Sequence, residues 1–295
     1  MRLRLWLFSA VILLLLLAGC GKDSPTVSSN VDFQTLTLVQ RPEFVDTRPQ
    51  AVIDAHVLRL TPEQLQSMQL NKPPKPPDPG GNTDPNPNPA HKYAYIVGIA
   101  DYEGTANDLQ YCDDDAQDMR AYLQSQGFTI RSDVDRSATA DAIVAGLQWL
   151  AASAVPGDEV AFYYSGHGNK FGGDGSSIIS TDLYYIPHAY VMSIVNSANC
   201  TKVLVSLDAC KIGNFLSDGL NGSYIATAST SGYSYDAPDL QNGAWTYYFL
   251  QGAGQYVYAE DIVPYAESGM KAWASAHRLA VSPSHSDKYS GKMDI

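Results

Sequence analysis

A histidine and a cysteine in this sequence each follow an apolar run and lie close to glycines. His167 lies in the stretch FYYSGHGNK, and Cys210 lies in SLDACKIG. An imidazole can exchange a proton near neutral pH, and a cysteine thiolate is a strong nucleophile. Taken singly, each residue has a structural explanation, as a loop histidine without a chemical role or as a small buried cysteine. Taken together, they could form a nucleophile–base pair.

Alternating strand and helix patterns from Tyr93 onward would bring these two residues together. Apolar runs at 93–100, 158–165 and 202–209 are typical of buried parallel strands, and helical periodicity separates them. The alternation predicts an α/β fold with a mostly parallel central sheet and helices on both faces. Ligands of such sheets bind beyond the carboxyl ends of the strands. His167 and Cys210 each follow such an end, so we expect them at one edge of the sheet.

The same segments resemble the caspase and metacaspase superfamily of cysteine peptidases. YYSGHG and SLDAC carry the resemblance, which spans roughly residues 93–290 in the order of bacterial metacaspase-like proteins. It implies a caspase-like sandwich in which Cys210 is the nucleophile and His167 the general acid/base. It also implies an oxyanion hole formed by the backbone N–H groups of Gly168 and Cys210. A glycine after His167 would leave that N–H open to a substrate carbonyl.

The resemblance extends to the pocket for the P1 residue, which precedes the cleaved bond. Four positions match the acidic pocket of metacaspases: Cys112, Asp115, Ser165 and Asp208. Two aspartates at one pocket favour a cation, and a guanidinium can pair with a carboxylate through two hydrogen bonds. We therefore expect protein or peptide substrates cleaved after Arg or Lys. The neighbouring Asp113 and Asp114 are explained by a helix N-terminus, which favours acidic side chains.

The residues after Cys210 depart from the family pattern, and the sequence does not decide whether the protein binds calcium as many metacaspases do. Lys211 and Ile212 follow the cysteine, where metacaspases usually have histidine and serine. Asp174, Asp182 and Asp218 lie where many metacaspases bind calcium. Calcium takes six to eight oxygen ligands, so three scattered carboxylates are only weak support for such a site. The sequence therefore assigns no metal ligand and no required cofactor, and it leaves calcium activation open.

The N-terminus carries an export pattern. Two arginines precede an apolar run at 5–17, which small residues and Cys20 follow. This pattern is typical of a secretory signal, because the run is too short to span a bilayer comfortably. LAGC also resembles the lipobox of bacterial lipoproteins. The resemblance implies a signal peptide at 1–19, an acylated Cys20 and attachment to a membrane outside the cytoplasm, the outer membrane in a Gram-negative host. The alternative is an ordinary signal peptide with an incidental cysteine.

The remaining chain divides by composition. Residues 20–70 are interpreted as a tether with a short helical segment that Thr61 caps, 71–92 as a proline-rich linker, and 93–295 as the peptidase domain. The net charge of −12 argues against a nucleic-acid partner, because phosphate binding requires clustered Lys and Arg.

Three functions remain to be weighed. The first is an Arg/Lys-specific cysteine endopeptidase, and the second is a catalytically inactive caspase-like module for binding or scaffolding. The third is a legumain-like or gingipain-like peptidase with another P1 preference. The presence of both His167 and Cys210 and of all four pocket positions favours the first. A dinucleotide-binding fold is disfavoured, because GIADYEG at the end of the first strand lacks the GxGxxG pattern.

Overall fold

The computed structural model describes residues 38–46, 48 and 84–295. The predicted signal peptide at 1–19, the predicted lipidation site Cys20 and the helix predicted after Thr61 lie outside these described residues. Among the helices that are described, none combines the length and the apolar character needed to cross a membrane.

Strands and helices alternate through the described chain. The strands are β1 (Val39–Gln40), β2 (Lys92–Gly98), β3 (Thr129–Val134), β4 (Glu159–Ser165), β5 (Gly168–Lys170), β6 (Ser176–Ile179), β7 (Tyr184–Pro187), β8 (Val203–Asp208), β9 (Ser223–Thr227), β10 (Asp236–Ala237), β11 (Asn242–Gly243) and β12 (Ser284–Asp287). The helices are α1 (Cys112–Ser125), α2 (Ala140–Ser153), α3 (His188–Val195), α4 (Phe215–Asp218), α5 (Ala244–Ala253) and α6 (Ala259–Ala276).

The central sheet has six strands in the order β12-β9-β8-β4-β2-β3. All neighbouring strands are parallel except the edge pair β12–β9, which is antiparallel. The predicted α/β fold with a mostly parallel sheet is thus confirmed. The antiparallel edge strand β12 has no counterpart among the strands that the sequence predicts.

Both faces of this sheet are covered by helices, which is why its strands are apolar at successive positions. On β2, Tyr95 and Val97 contribute to one hydrophobic cluster, and Ala94 and Ile96 to the other. Helices α2 and α3 pack on the first face, and α1, α5 and α6 pack on the second. Helix α2 begins after Thr139, whose hydroxyl accepts a hydrogen bond from the N–H of Ala142 (3.2 Å).

A second, antiparallel sheet has the order β1-β7-β6-β5. Its strand β5 begins directly after His167, and its edge strand β1 comes from the segment before the proline-rich stretch. Strand β1 pairs with β7 at the edge opposite β5, and the chain that follows β1 reaches His167 through the ring of Phe44.

The end of the proline-rich stretch also packs against the domain. Lys202 is fully buried, and its ammonium contacts Asp84 (2.8 Å), Glu159 (3.4 Å) and Asp294. Three segments that are distant in sequence thus meet at one buried cation.

Candidate active site

His167 and Cys210 lie at the same edge of two adjacent parallel strands. Strand β4 ends at Ser165 and β8 ends at Asp208, and these two residues are paired in register. Each of the predicted reactive residues follows two positions later. The N–H of Gly166 donates to the carbonyl of Asp208 (3.1 Å), which continues the pairing past the strand ends. Both side chains line one cavity.

The His167 ring is oriented by a backbone carbonyl. Its Nε2 lies 2.7 Å from the carbonyl oxygen of Asn107, which can only accept a hydrogen bond. In the neutral imidazole the proton is therefore on Nε2, and Nδ1 is the basic nitrogen. The hydroxyl of Tyr102 accepts a hydrogen bond from the backbone N–H of His167 (2.8 Å), and its ring lies 4.7 Å from the imidazole.

Burial keeps both members of the pair uncharged. It lowers the pKa of His167 to about 4 and raises the pKa of Cys210 to about 11. At neutral pH the pair is thus a thiol and a neutral imidazole, a state in which the imidazole can accept the thiol proton. The thiol sulfur also accepts a hydrogen bond from the N–H of Ser234 (3.2 Å).

Gly168 packs directly against the loop that carries the cysteine. A Cβ atom at Gly168 would lie 2.4 Å from the carbonyl oxygen of Cys210 and 2.9 Å from a methyl carbon of Ile212. The structure therefore brings together the two residues predicted to form the oxyanion hole. It also gives a second reason for glycine at this position, which is close packing against the Cys210 loop.

The two residues that follow the cysteine, Lys211 and Ile212, contact different parts of the domain. The Lys211 ammonium lies 3.4 Å from the side-chain oxygen of Asn169 and 5.4 Å from the centre of the Tyr233 ring. Ile212 is fully buried in the main core. Although these two positions differ from the family pattern, Cys210 still lies two residues after the end of β8.

Three of the four predicted pocket residues line the cavity beside Cys210. They are Cys112, Ser165 and Asp208. Asp115 lies behind them and is fully buried, and it accepts a hydrogen bond from the hydroxyl of Ser165 (2.7 Å). The other two acidic residues, Asp113 and Asp114, lie on the first turn of α1 as expected.

The two predicted pocket carboxylates are close neighbours. A Cβ atom at Gly243 would lie 2.4 Å from Oδ2 of Asp208 and 2.6 Å from Oδ2 of Asp115. Burial raises the pKa of Asp208 to about 6. Burial, followed by the charge of Asp208, raises the pKa of Asp115 well above its usual value. A cation at this cavity would favour the ionised form of both carboxylates.

Residues from the N-terminal segment cover the site. The ring of Phe44 packs edge-on against the imidazole of His167, with centroids 5.0 Å apart. The side chain of Asn107 holds this segment by donating to the carbonyl of Phe44 (3.0 Å) and accepting from the N–H of Asp46 (3.1 Å). Arg48 lines the cavity, and its guanidinium pairs with Asp46 (2.6 Å). The remaining space of about 20 Å³ is room for about one water molecule.

Two of the three aspartates considered for calcium, Asp182 and Asp218, have other partners. Asp182 accepts hydrogen bonds from the N–H of Ala140 (2.9 Å) and the hydroxyl of Ser180 (2.6 Å), and Asp218 pairs with His188. Within the part of the chain that the structure describes, no three His, Cys, Asp or Glu side chains are grouped as a metal ion would require.

Several site residues were not predicted from the sequence, among them Phe44, Arg48, Asn107, Ser234 and Asp236. Asn107 acts on His167 through a main-chain carbonyl, which every residue type possesses. Ser234 and Asp236 line the cavity from the segment after β9, in which no site residue is predicted from the sequence. An acidic residue in that segment was the available signal for Asp236.

Comparison with known proteins places this geometry among caspase-like peptidases. The caspase domain family matches residues 91–288, which is more than half of the chain. Metacaspase-2 of Trypanosoma brucei brucei is 37% identical over 95 residues, covering 28% of this chain and 27% of that protein. Metacaspase-2 of Arabidopsis thaliana is 27% identical over 222 residues, covering 56% of this chain and 53% of that protein. The chain thus spans about half or less of the length of these relatives.

A solved structure supports the fold. A crystal structure of a protein from Geobacter sulfurreducens has a TM-score of 0.53 and covers 68% of this chain and 94% of that one. Its sequence identity of 16% limits the similarity to architecture.

Proposed function

The chain belongs to the caspase-domain family of cysteine peptidases, and from that premise we propose that it cleaves polypeptides after arginine or lysine. The observation that carries the proposal is a cavity lined by both Cys210 and the carboxylates of Asp208 and Asp236. A thiol beside a pocket for cationic side chains suits a peptidase whose P1 residue is basic.

The proposed reaction begins with the neutral pair. As the sulfur of Cys210 attacks the carbonyl carbon of the scissile bond, Nδ1 of His167 takes the thiol proton. The backbone N–H groups of Gly168 and Cys210 donate to the developing oxyanion. The C–N bond then breaks, and the leaving amine receives the proton from Nδ1, which leaves a thioester on Cys210. A water molecule, deprotonated by His167, attacks the thioester and releases the carboxylic acid and the thiol.

We further propose that the protein is a bacterial lipoprotein anchored outside the cytoplasm through Cys20. The support is the sequence alone, in which LAGC follows an apolar run that basic residues precede. Metabolic labelling with a fatty acid in a bacterial host tests this proposal. Label that is present in the wild type and lost in Cys20→Ser would support the anchor. Export of both forms without label would indicate an ordinary signal peptide.

Peptide turnover tests the proposed specificity. The full-length protein in detergent solution would be assayed in reductant, with and without calcium, on fluorogenic peptides that carry Arg, Lys, Asp or Asn at P1. Turnover after Arg or Lys that Cys210→Ala abolishes is the expected result. Turnover only after Asp or Asn would support a legumain-like preference. No turnover by folded protein would favour a binding or scaffold module.

A further inference from the structure

The carboxylates near the cavity differ in how many hydrogen bonds they already accept. Asp115 accepts from the hydroxyl of Ser165, the side-chain amide of Asn242 and the N–H of Gly243. Asp208 accepts from the hydroxyl of Ser234 and from both the N–H and the hydroxyl of Thr246. A carboxylate has about four acceptor positions, so each has about one left. Asp115 is 0% exposed and Asp208 is 5% exposed, so neither carboxylate is open to solvent.

Asp236 has more capacity for a ligand. Its Oδ2 accepts from the N–H of Gln110 (2.8 Å), and its Oδ1 contacts the thiol of Cys112 (3.7 Å), a weak donor. The side chain is partly exposed and lines the cavity together with Cys210. About two strong acceptor positions on Asp236 thus remain for a ligand that enters beside the nucleophile.

The backbone holds Asp236 above the two buried carboxylates. Asp236 on β10 pairs with Gly243 on β11, and Gly243 approaches both Asp115 and Asp208 so closely that a Cβ atom would collide with them. The antiparallel ribbon therefore lies directly on the floor of the cavity. A short ribbon fixed in this way presents the Asp236 carboxylate at a defined position.

The chain itself places a guanidinium at this cavity. The Arg48 side chain is 9% exposed and lines the cavity with Asp236 and Cys210. Although burial alone would lower it, the pKa of Arg48 is raised above its usual value by Asp46 and then by the charge of Asp236. The cavity beside Cys210 thus accommodates an arginine side chain, whose guanidinium pairs with Asp46, and the charge of Asp236 favours the charged form of that guanidinium.

We propose that Asp236 is a specificity-determining residue that binds the cationic side chain at P1, while Asp115 and Asp208 form the buried floor of the pocket. This inference rests on the proposed function and adds a carboxylate to the four pocket positions that the sequence indicates. The ligand chemistry is a guanidinium or ammonium at the end of an extended side chain, because such a group can reach the free acceptor positions of Asp236.

Active-site labelling tests the proposal on the full-length protein in detergent solution. Cys210 would be alkylated with a peptidyl-arginine chloromethyl ketone and, separately, with the matching norleucine reagent. In Asp236→Asn the amide oxygen can still accept from Gln110, which favours retention of the fold. We expect this variant to react about tenfold more slowly with the arginine reagent, because a hydrogen bond to a charged group is lost. Its rate with the norleucine reagent should stay within about twofold of the wild-type rate.

The control variant is Asp114→Asn, which removes the same charge from an exposed position on α1. Both of its labelling rates should stay within about twofold of the wild-type rates. Equal slowing of both reagents in Asp236→Asn, or no slowing, would overturn the role of Asp236. A wild type that reacts no faster with the arginine reagent than with the norleucine reagent would instead overturn the proposed Arg/Lys specificity itself. On Arg peptides, Asp236→Asn should raise KM more than it lowers kcat.

Discussion

The ring of Phe44 lies edge-on against the imidazole of His167, with centroids 5.0 Å apart. The two residues are more than a hundred positions apart in sequence. Asn107 connects them, because its side-chain amide donates a hydrogen bond to the Phe44 carbonyl and its own carbonyl contacts His167. Because the carbonyl of Asn107 also orients Nε2 of His167, Asn107 contacts both the covering segment and the proposed catalytic histidine. We therefore expect access to the site to depend on the docking of residues 38–46 and Arg48.

Loosening this cover should increase activity. Phe44→Ala removes one aromatic ring from the pair, a contact worth about 0.5–1.5 kcal/mol, so peptide turnover and alkylation of Cys210 by iodoacetamide should rise about two- to tenfold. Stopped-time assays of both reactions would measure the change. The neighbouring Val45→Ala is the control, because Val45 is 60% exposed and should leave both rates unchanged. Unchanged or slower reactions in Phe44→Ala would show that the segment does not limit access.

Gly168 should not tolerate a side chain. In Gly168→Ala the new Cβ atom would meet the carbonyl oxygen of Cys210 at 2.4 Å, which forces the nucleophile loop to move. We expect a loss of activity of about a hundredfold, since misplacement by about 1 Å costs that much. Gly173→Ala is the matched control, because its Cβ atom would have no neighbour within 4 Å. Peptide turnover and thermal unfolding of both variants would test this prediction, and comparable activities would contradict it.

The parts of the fold that follow from local pattern were predictable. Strands β2, β4 and β8 are buried on both faces, so their sequences are apolar at successive positions and their ends place His167 and Cys210. The antiparallel strands β5 to β7 are short, and their pairing depends on contacts that no local pattern records.

The site was predictable only where side-chain type carries the chemistry. His167, Cys210 and the pocket aspartates have distinctive residue types, whereas Asn107 contributes a carbonyl oxygen and Phe44 an ordinary aromatic ring. At Gly168 the sequence predicts an N–H open to substrate, and the structure adds close packing against Cys210. This packing depends on the separation of two loops, which is set by the sheet.

Two reactions at Cys210 should respond differently to pH. Asp208 has its pKa raised to about 6, so below that pH it becomes protonated and no longer attracts a cation. The kcat/KM for an Arg peptide should therefore fall as the pH decreases through about 6. Iodoacetamide is neutral and reacts with the thiolate, so alkylation should increase steadily toward the Cys210 pKa of about 11, with no step near 6. An acid limb near 6 in both reactions would assign it to a group other than the pocket carboxylate.

Replacement of the buried cation Lys202 should lower the stability of the fold. In Lys202→Met the carboxylates of Asp84, Glu159 and Asp294 lose their shared partner. Removing one member of a buried ionic cluster leaves uncompensated charge, so the free energy of unfolding should fall by about 3–5 kcal/mol.

Urea unfolding followed by intrinsic fluorescence would measure this loss. Lys271→Met is the matched control, because Lys271 is exposed and its helical pair with Glu267 contributes less than about 1 kcal/mol. Because Asp84 lies within the proline-rich stretch and pairs with Lys202, the loss in Lys202→Met should also make residues 84–92 more accessible to proteases. Equal stability of the two variants would mean that protonation of the neighbouring carboxylates offsets the loss of the Lys202 charge. In that case the difference between them should reappear as the pH is raised, because the carboxylates then ionise without their partner.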